Sequence, residues 1–169
     1  LYVLFDECQN IFQRDFADKF YIENPPFVLR YNIRNTANIY RYAKDKSNLG
    51  ADTLTNQIEG VDPEIRTFTR KAQLISYVDA IVNKLVNKEG VAKSKMVILS
   101  DRRKEKSVLK DVDFIGGCRM DDIYDDNKET IKYRTIQSFK GLEADVIIFI
   151  NHTYKNEPLT DRKRALLYT

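Results

Sequence analysis

The sequence lacks several features that would place it in a common protein class. It has only two cysteines, Cys8 and Cys118, and neither has a second cysteine or a histidine at metal-binding spacing. A disulfide framework and a zinc site are therefore not indicated, and a reducing cytoplasm is the expected compartment. No apolar run is long enough to cross a bilayer, so we expect no membrane partner. The net charge of +3 is too small to indicate a strongly basic nucleic-acid-binding domain by itself.

Glycine-rich nucleotide-binding loops are also absent from the sequence. The chain contains no G-x-x-x-x-G-K-[ST] phosphate-binding loop, and residues 5–9, which follow the first apolar run, contain no glycine. A stand-alone dinucleotide-binding domain is therefore the weakest of the functional hypotheses. The chain has no leader-like segment, and Leu1 directly precedes the apolar run at residues 2–5, so we expect it to be part of a longer protein.

Hydrophobic residues at 43% and charged residues at 31% are typical of a globular protein, and 169 residues suffice for one well-packed α/β domain. Short apolar runs alternate along the chain with segments whose apolar residues recur at helical spacing. The predicted strands cover residues 2–5, 27–31, 65–68, 96–99, 133–136 and 146–150. The predicted helices run from a cap at Asn35-Thr36 to about Lys46, from about residue 74 to Gly90, over 102–110 and over 162–168. Residues 47–63 are predicted as a loop, and residues 111–131 as irregular apart from a turn at Gly116-Gly117. This alternation predicts a parallel α/β sheet.

The most informative stretch is T-I-Q-S-F-K-G-L-E at residues 135–143, just before the last apolar run. Gly141 frees the backbone for close approach of a ligand. Thr135, Ser138 and Lys140 carry donors suited to phosphate oxygens. The alternative is a strand, a turn and a strand whose polar residues are incidental.

This stretch closely resembles motif V of the UvrD-like helicases of superfamily 1, T-x-H-x-x-K-G-L-E, with Gln137 where histidine is common. The resemblance implies that residues 135–140 contact a nucleic-acid strand and that Gly141 and Glu143 line an ATP site. A carboxylate such as that of Glu143 can accept a hydrogen bond from a ribose hydroxyl.

A second stretch, L-R-Y-N-I-R-N-T at residues 29–36, resembles motif IV of the same helicases, L-x-x-N-Y-R-[SN]-T. The resemblance implies that Arg34 contacts the terminal phosphate of ATP, a role that suits a permanently charged, forked guanidinium. Ile33 departs from the motif, since many relatives place an aromatic ring there to stack on adenine. For Arg34 the alternative is a surface ion pair at the start of a helix.

The opening stretch F-D-E-C-Q at residues 5–9 is compatible with two helicase motifs. One is motif II, D-E-x-Q, whose acidic pair holds Mg²⁺ and activates water. The other is motif III, in which a strand ends in G-D-x-x-Q-x-I-[YF]. Residues 10–12 continue motif III, and Asn32 of motif IV follows Gln9 by only 23 residues, which favours motif III. Gln9 is then a γ-phosphate sensor, and Phe12 stacks on an exposed base, a contact of about 1–3 kcal/mol; core packing is the alternative for Phe12.

The last residues, R-A-L-L-Y-T at 164–169, resemble the start of motif VI, whose phosphate-contacting arginine would follow Thr169. Together the motifs imply a RecA-like, P-loop NTPase-type parallel sheet flanked by helices. They divide the chain into residues 1–30, a C-terminal remnant of a first RecA-like domain, and residues 31–169, the second. The implied cofactors are ATP and Mg²⁺, with the Mg²⁺ ligands in the missing N-terminal domain. The implied partners are that domain and single-stranded DNA, with RNA as the alternative.

We therefore expect the second RecA-like domain of an ATP-dependent helicase or translocase. Its expected ATP-site residues are Gln9, Arg34, Gly141 and Glu143, with Gln9 and Arg34 acting in hydrolysis. Its expected strand-binding residues are Phe12, Thr135, Gln137, Ser138 and Lys140. Because the chain lacks a phosphate-binding loop, it is expected to hydrolyse no ATP alone. The alternative is a nucleic-acid-binding or regulatory module whose motor motifs have decayed. The departures at Ile33, at Gln137 and at Arg14, where some relatives place a second aromatic ring, favour it.

Overall fold

A computed structural model describes residues 31–47, 54–55, 58–121 and 129–150 of the chain. The predicted strand at residues 2–5, the positions of Gln9 and Phe12 and the predicted helix at 162–168 lie outside the described residues. The described residues up to Ile65 form one compact unit, and those from Arg66 form a second.

The first unit contains a short parallel strand pair and one helix: β1 (Tyr31–Asn32), α1 (Ala37–Ser47) and β2 (Leu54–Thr55). The strands pair with Tyr31 opposite Leu54. Helix α1 confirms the prediction from the Asn35-Thr36 cap, and it buries Ala37 and Tyr40. The predicted continuous loop over residues 47–63 is wrong at β2, because the backbone there pairs with β1.

The second unit contains the main sheet and the longest helix. Its strands and α-helices are α2 (Lys71–Asn83), β3 (Met96–Ser100), β4 (Phe114–Ile115), β5 (Cys118–Asp121), β6 (Ile131–Thr135), α3 (Ile136–Phe139) and β7 (Val146–Ile150). A π-helical segment, Lys84–Lys88, continues α2, and the chain turns at Gly90 with a φ of 71°. Short 3-10 turns occupy Lys93–Lys95 and Lys104–Lys106.

The five strands of this sheet lie in the order β4-β5-β6-β3-β7. Strands β5, β6, β3 and β7 are parallel, and only the edge strand β4 is antiparallel to its neighbour. All five residues of β3 are buried, as expected for an apolar strand at the centre of a parallel sheet. The predicted parallel α/β architecture is confirmed for the described residues, and no helix among them is long and apolar enough to span a membrane.

The hydrophobic core lies between α2 and one face of this sheet. Helix α2 contributes Val78 and Val82, which alternate with exposed positions at the spacing of an amphipathic helix. They pack against strand residues from the centre of the sheet and against Leu109 and Ile115. The apolar spacing that predicted this helix therefore corresponds to its buried face.

Two predicted elements are wrong. Residues 65–68 form no strand; Ile65 is exposed, and the ring of Phe68 packs against Tyr77 instead. Residues 102–110 form a single 3-10 turn followed by further turns rather than a helix. The Ser107 side chain stabilises these turns, because its hydroxyl donates to the Lys104 carbonyl and accepts from the Leu109 amide.

The region predicted as irregular, residues 111–131, contains a β-hairpin. Ile115 pairs with Cys118 across the two-residue turn Gly116-Gly117, in which both glycines have positive φ. Such a turn matches the twist of the flanking strands, and glycine adopts it without steric cost. The predicted turn is confirmed, whereas the absence of strands around it is wrong. Strand β6 also starts and ends earlier than the predicted 133–136, because residue 136 begins α3.

Candidate functional site

The stretch at residues 135–143 begins at the carboxyl edge of the main sheet and leads back towards the start of β7 at Val146. Thr135 is the last residue of β6, and it lies opposite Ser100, the last residue of the neighbouring strand β3. In open parallel sheets, the carboxyl ends of the strands form the edge where ligands most often bind. Thr135 and the five predicted strand-binding or ATP-site residues that follow it therefore lie in the segment that leaves this edge of the sheet.

A reciprocal capping box gives the segment its shape. The Thr135 hydroxyl accepts a hydrogen bond from the Ser138 amide at 3.2 Å, and the Thr135 amide donates to the Ser138 hydroxyl at 3.1 Å. The Ser138 hydroxyl in turn donates to the Thr135 carbonyl at 3.0 Å. These two side chains thus satisfy the first turn of the four-residue helix α3. They fix the backbone path, while Gln137 in the same turn is exposed to solvent.

The chain reverses direction directly after α3. The Leu142 amide donates to the Phe139 carbonyl at 2.9 Å, and Gly141 has a φ of 85°, a conformation that other residues rarely adopt. An added Cβ at Gly141 would meet no atom within 4 Å, so glycine is required here by the backbone angle. Lys140 and Glu143, on either side of this turn, are both exposed.

The loop after β3 is tied to the same edge. The Tyr133 hydroxyl, whose ring is 2% exposed, donates to the Arg102 carbonyl at 2.7 Å. The fully buried Ser100 hydroxyl accepts from the Arg102 amide at 3.2 Å. Sequence reasoning missed this connection between β3 and β6. The only available signal was a serine at the end of an apolar strand, followed by charged residues.

Two ion pairs lie away from this edge. The Asp145 carboxylate is 2.7 Å from the Lys95 ammonium, and its hydrogen bond and charge raise the pKa of Lys95. Both residues directly precede the paired strand starts Met96 and Val146, so the pair lies at the amino edge. Glu129 raises the pKa of Lys93 in the same way. These cations are therefore not part of the segment at residues 135–143.

The predicted phosphate-contacting residue Arg34 lies in the first unit. It follows β1 in an exposed turn that is closed by a hydrogen bond from the Asn35 amide to the Asn32 side chain at 3.1 Å. Ile33, in the position of the adenine-stacking ring, is 77% exposed. Thr36 precedes α1, and its carbonyl accepts from the Tyr40 amide, but its buried hydroxyl has no hydrogen-bond partner. The predicted capping by this hydroxyl is therefore not formed.

The remaining predicted site residues, Gln9 and Phe12, lie outside the described residues. Within the described part of the chain, no group of three or more histidine, cysteine, aspartate or glutamate side chains could hold a metal ion. Cys118 is buried and carries a free thiol. Comparisons with protein-family models, with curated proteins and with solved structures find no match for this chain.

Proposed function

We propose that this chain is the second RecA-like domain of an ATP-dependent helicase or translocase of the UvrD-like type. In this proposal it supplies one half of an ATP cleft and part of the surface that holds a single DNA strand. The observation that carries the proposal is the segment at residues 135–143, which leaves the carboxyl end of β6 in an ordered turn and leads to the parallel strand β7. The five-stranded, mostly parallel sheet is compatible with a RecA-like domain.

The geometry of the turn supports strand binding. Because Thr135 and Ser138 hold each other, the backbone enters any complex already ordered, which lowers the entropic cost of binding. Gln137 and Lys140 are exposed on this ordered turn. An ammonium and an amide are suited to the phosphate and base groups of a flexible single strand. In this proposal Lys140 contacts phosphate, and the capping residues position it.

The residues proposed to contact the nucleotide are both exposed. Arg34 follows β1, and its guanidinium would contact the γ-phosphate, where negative charge accumulates during phosphoryl transfer. Glu143 would accept a hydrogen bond from the ribose. When bound, ATP with Mg²⁺ would supply the phosphoryl group for hydrolysis. Because the sequence has no phosphate-binding loop, that loop and the Mg²⁺ ligands would come from the partner RecA-like domain of the same protein.

Strand binding is tested with a fluorescently labelled oligo-dT strand titrated with the chain at several salt concentrations. We expect Lys140→Ala to weaken binding on every sequence tested. We also expect it to reduce the slope of log affinity against log salt by about 0.7, because one phosphate contact is lost.

The matched control is Arg119→Ala, which removes the same charge from an exposed position. Arg119 precedes Met120, which pairs with the first residue of β6, so it lies near the amino edge of the sheet. Equal losses for Lys140→Ala and Arg119→Ala would show that any surface cation contributes, and the proposed strand-binding surface would be rejected. Strand binding with no ATP hydrolysis by the full-length protein would instead support the decayed, regulatory module.

A further inference from the structure

The outer surface of α2 carries a shallow groove of about 550 Å³ that the proposed function does not use. One wall is an aromatic pair, Phe68 and Tyr77, whose ring centres are 5.4 Å apart. The floor is formed by short side chains of successive helical turns: Ala72, Ser76 and Ala80. The volume lies in the range of pockets that accept the side chains of a ligand.

The groove also lacks charge, which is unusual for a solvent-facing helix surface in this chain. Charged residues make up 31% of the sequence, yet none of the described residues that line the groove is charged; the remaining lining residue is Gln73. A helix face that only contacts water typically carries long charged side chains. Short, uncharged side chains next to the half-buried rings of Phe68 and Tyr77 allow close approach of another apolar surface.

One end of the groove is basic. Arg70 is the N-cap residue of α2, its side chain makes no capping hydrogen bond, and the first turn of the helix contains no acidic residue. Lys71 follows it. Arg66 lies over the Tyr77 ring, with its guanidinium carbon 5.7 Å from the ring centre. The positive end of the helix dipole adds to the charge of Arg70 at the start of α2, and Arg66 adds a second cation beside the aromatic wall.

We propose that this groove binds an acidic peptide segment of a partner protein, with an apolar side chain inserted between the aromatic wall and the short-chain floor. The acidic residues of the peptide would lie against Arg66 and Arg70. This occupant follows from two properties together: the groove is apolar and uncharged, and its basic rim complements acidic residues. A nucleic-acid strand would require several cations along the groove, whereas the described residues that line it are uncharged.

The test selects peptides from a display library of random dodecapeptides on the full chain. We expect the enriched peptides to combine leucine, phenylalanine or tryptophan with aspartate or glutamate. A synthetic enriched peptide is then titrated against variants by fluorescence anisotropy. Ser76→Arg should fill the groove and weaken binding by about tenfold or more, as for the loss of an anchor pocket. Because this change adds positive charge, the loss cannot come from electrostatic repulsion of an acidic peptide.

Arg70→Glu should weaken binding by about tenfold through loss of the complementary charge. Its matched control is Lys88→Glu, an identical charge change at an exposed position in the π-helical segment, which should leave the affinity unchanged. Thermal unfolding checks each variant, and Ala80→Gln replaces Ser76→Arg if the latter lowers the melting temperature. Three outcomes would each overturn the proposal. The enriched peptides could lack acidic residues, or the peptide could bind Ser76→Arg and Ala80→Gln as tightly as the wild type. Oligo-dT could also displace the peptide.

Discussion

Alanine substitutions at Gly116 and Gly117 form a matched pair in the hairpin turn. Together they separate the effect of the backbone angle on stability from the effect of the local space. Both glycines have positive φ, 56° for Gly116 and 76° for Gly117. Alanine at either position therefore costs about 1–2 kcal/mol, because its Cβ is disfavoured in this backbone conformation. If the backbone angle alone mattered, the two substitutions would destabilise the protein equally.

The surroundings of the two glycines differ. A Cβ at Gly116 would lie 2.6 Å from the Asn83 amide nitrogen and 2.6 Å from Val82 Cγ1, whereas a Cβ at Gly117 would meet no atom within 4 Å. Val82 is fully buried, and the contacted atom of Asn83 is its backbone nitrogen, so neither can move without shifting α2 away from the hairpin. Overpacking of this kind typically costs about 1–3 kcal/mol more.

We therefore expect Gly117→Ala to lower the free energy of unfolding by about 1–2 kcal/mol and Gly116→Ala to lower it by about 2–5 kcal/mol. Urea unfolding of the full chain, followed by far-ultraviolet circular dichroism, measures both values. Losses that agree within about 0.5 kcal/mol would refute close packing of the hairpin against α2, since surface changes vary by that amount.

Three further predictions concern single contacts of the second unit. Asp79→Ala removes the acceptor 2.6 Å from the hairpin amide, and urea unfolding should show a loss of about 1–3 kcal/mol; an unchanged midpoint would contradict the contact. Tyr133→Phe leaves the Arg102 carbonyl without its donor and should cost about 1 kcal/mol in the same assay, whereas a more stable variant would argue against the bond. Asp145 raises the pKa of Lys95 above its ordinary value of 10.5, so the contribution of this pair is present below that pH and is lost as the pH rises through the raised pKa. Asp145→Asn should therefore lower the pKa of Lys95 in a titration followed by nuclear magnetic resonance, and an unchanged pKa would contradict the pairing.

The regular elements of the main sheet were predictable because their patterns are strong and local. Strand β7 is a continuous β-branched and aromatic run, and α2 shows its apolar residues at helical spacing. The failures occur where tertiary contacts override local preference. Residues 102–110 have helix-forming composition, but the buried Tyr133 hydroxyl holds the Arg102 carbonyl, and Lys104 pairs with Asp113 at 3.0 Å. Nothing local to that segment encodes those partners.

For the candidate site, the sequence indicated which segment to examine but not how its side chains interact. The spacing of Thr135 and Ser138 is that of a capping box, with serine in the position where glutamate or glutamine is usual. Sequence reasoning assigned both hydroxyls to phosphate, whereas the structure shows them bonded within the turn. Gly141 was predicted to permit close approach of a ligand, and the structure adds that its positive φ requires glycine. The assignment of Thr135, Ser138 and Gly141 to a ligand site stays a prediction.

The most direct test of the proposed function is ATP hydrolysis by the full-length protein, measured with and without single-stranded DNA. We expect stimulation by the strand, a loss of kcat of about a hundredfold or more in Arg34→Ala and a loss of about tenfold in kcat/KM in Glu143→Ala. Arg41→Ala is the matched control, because this exposed arginine of α1 is paired with Glu59, and it should retain wild-type turnover. Wild-type turnover in both Arg34→Ala and Glu143→Ala would contradict the proposal that this chain forms half of an ATP cleft.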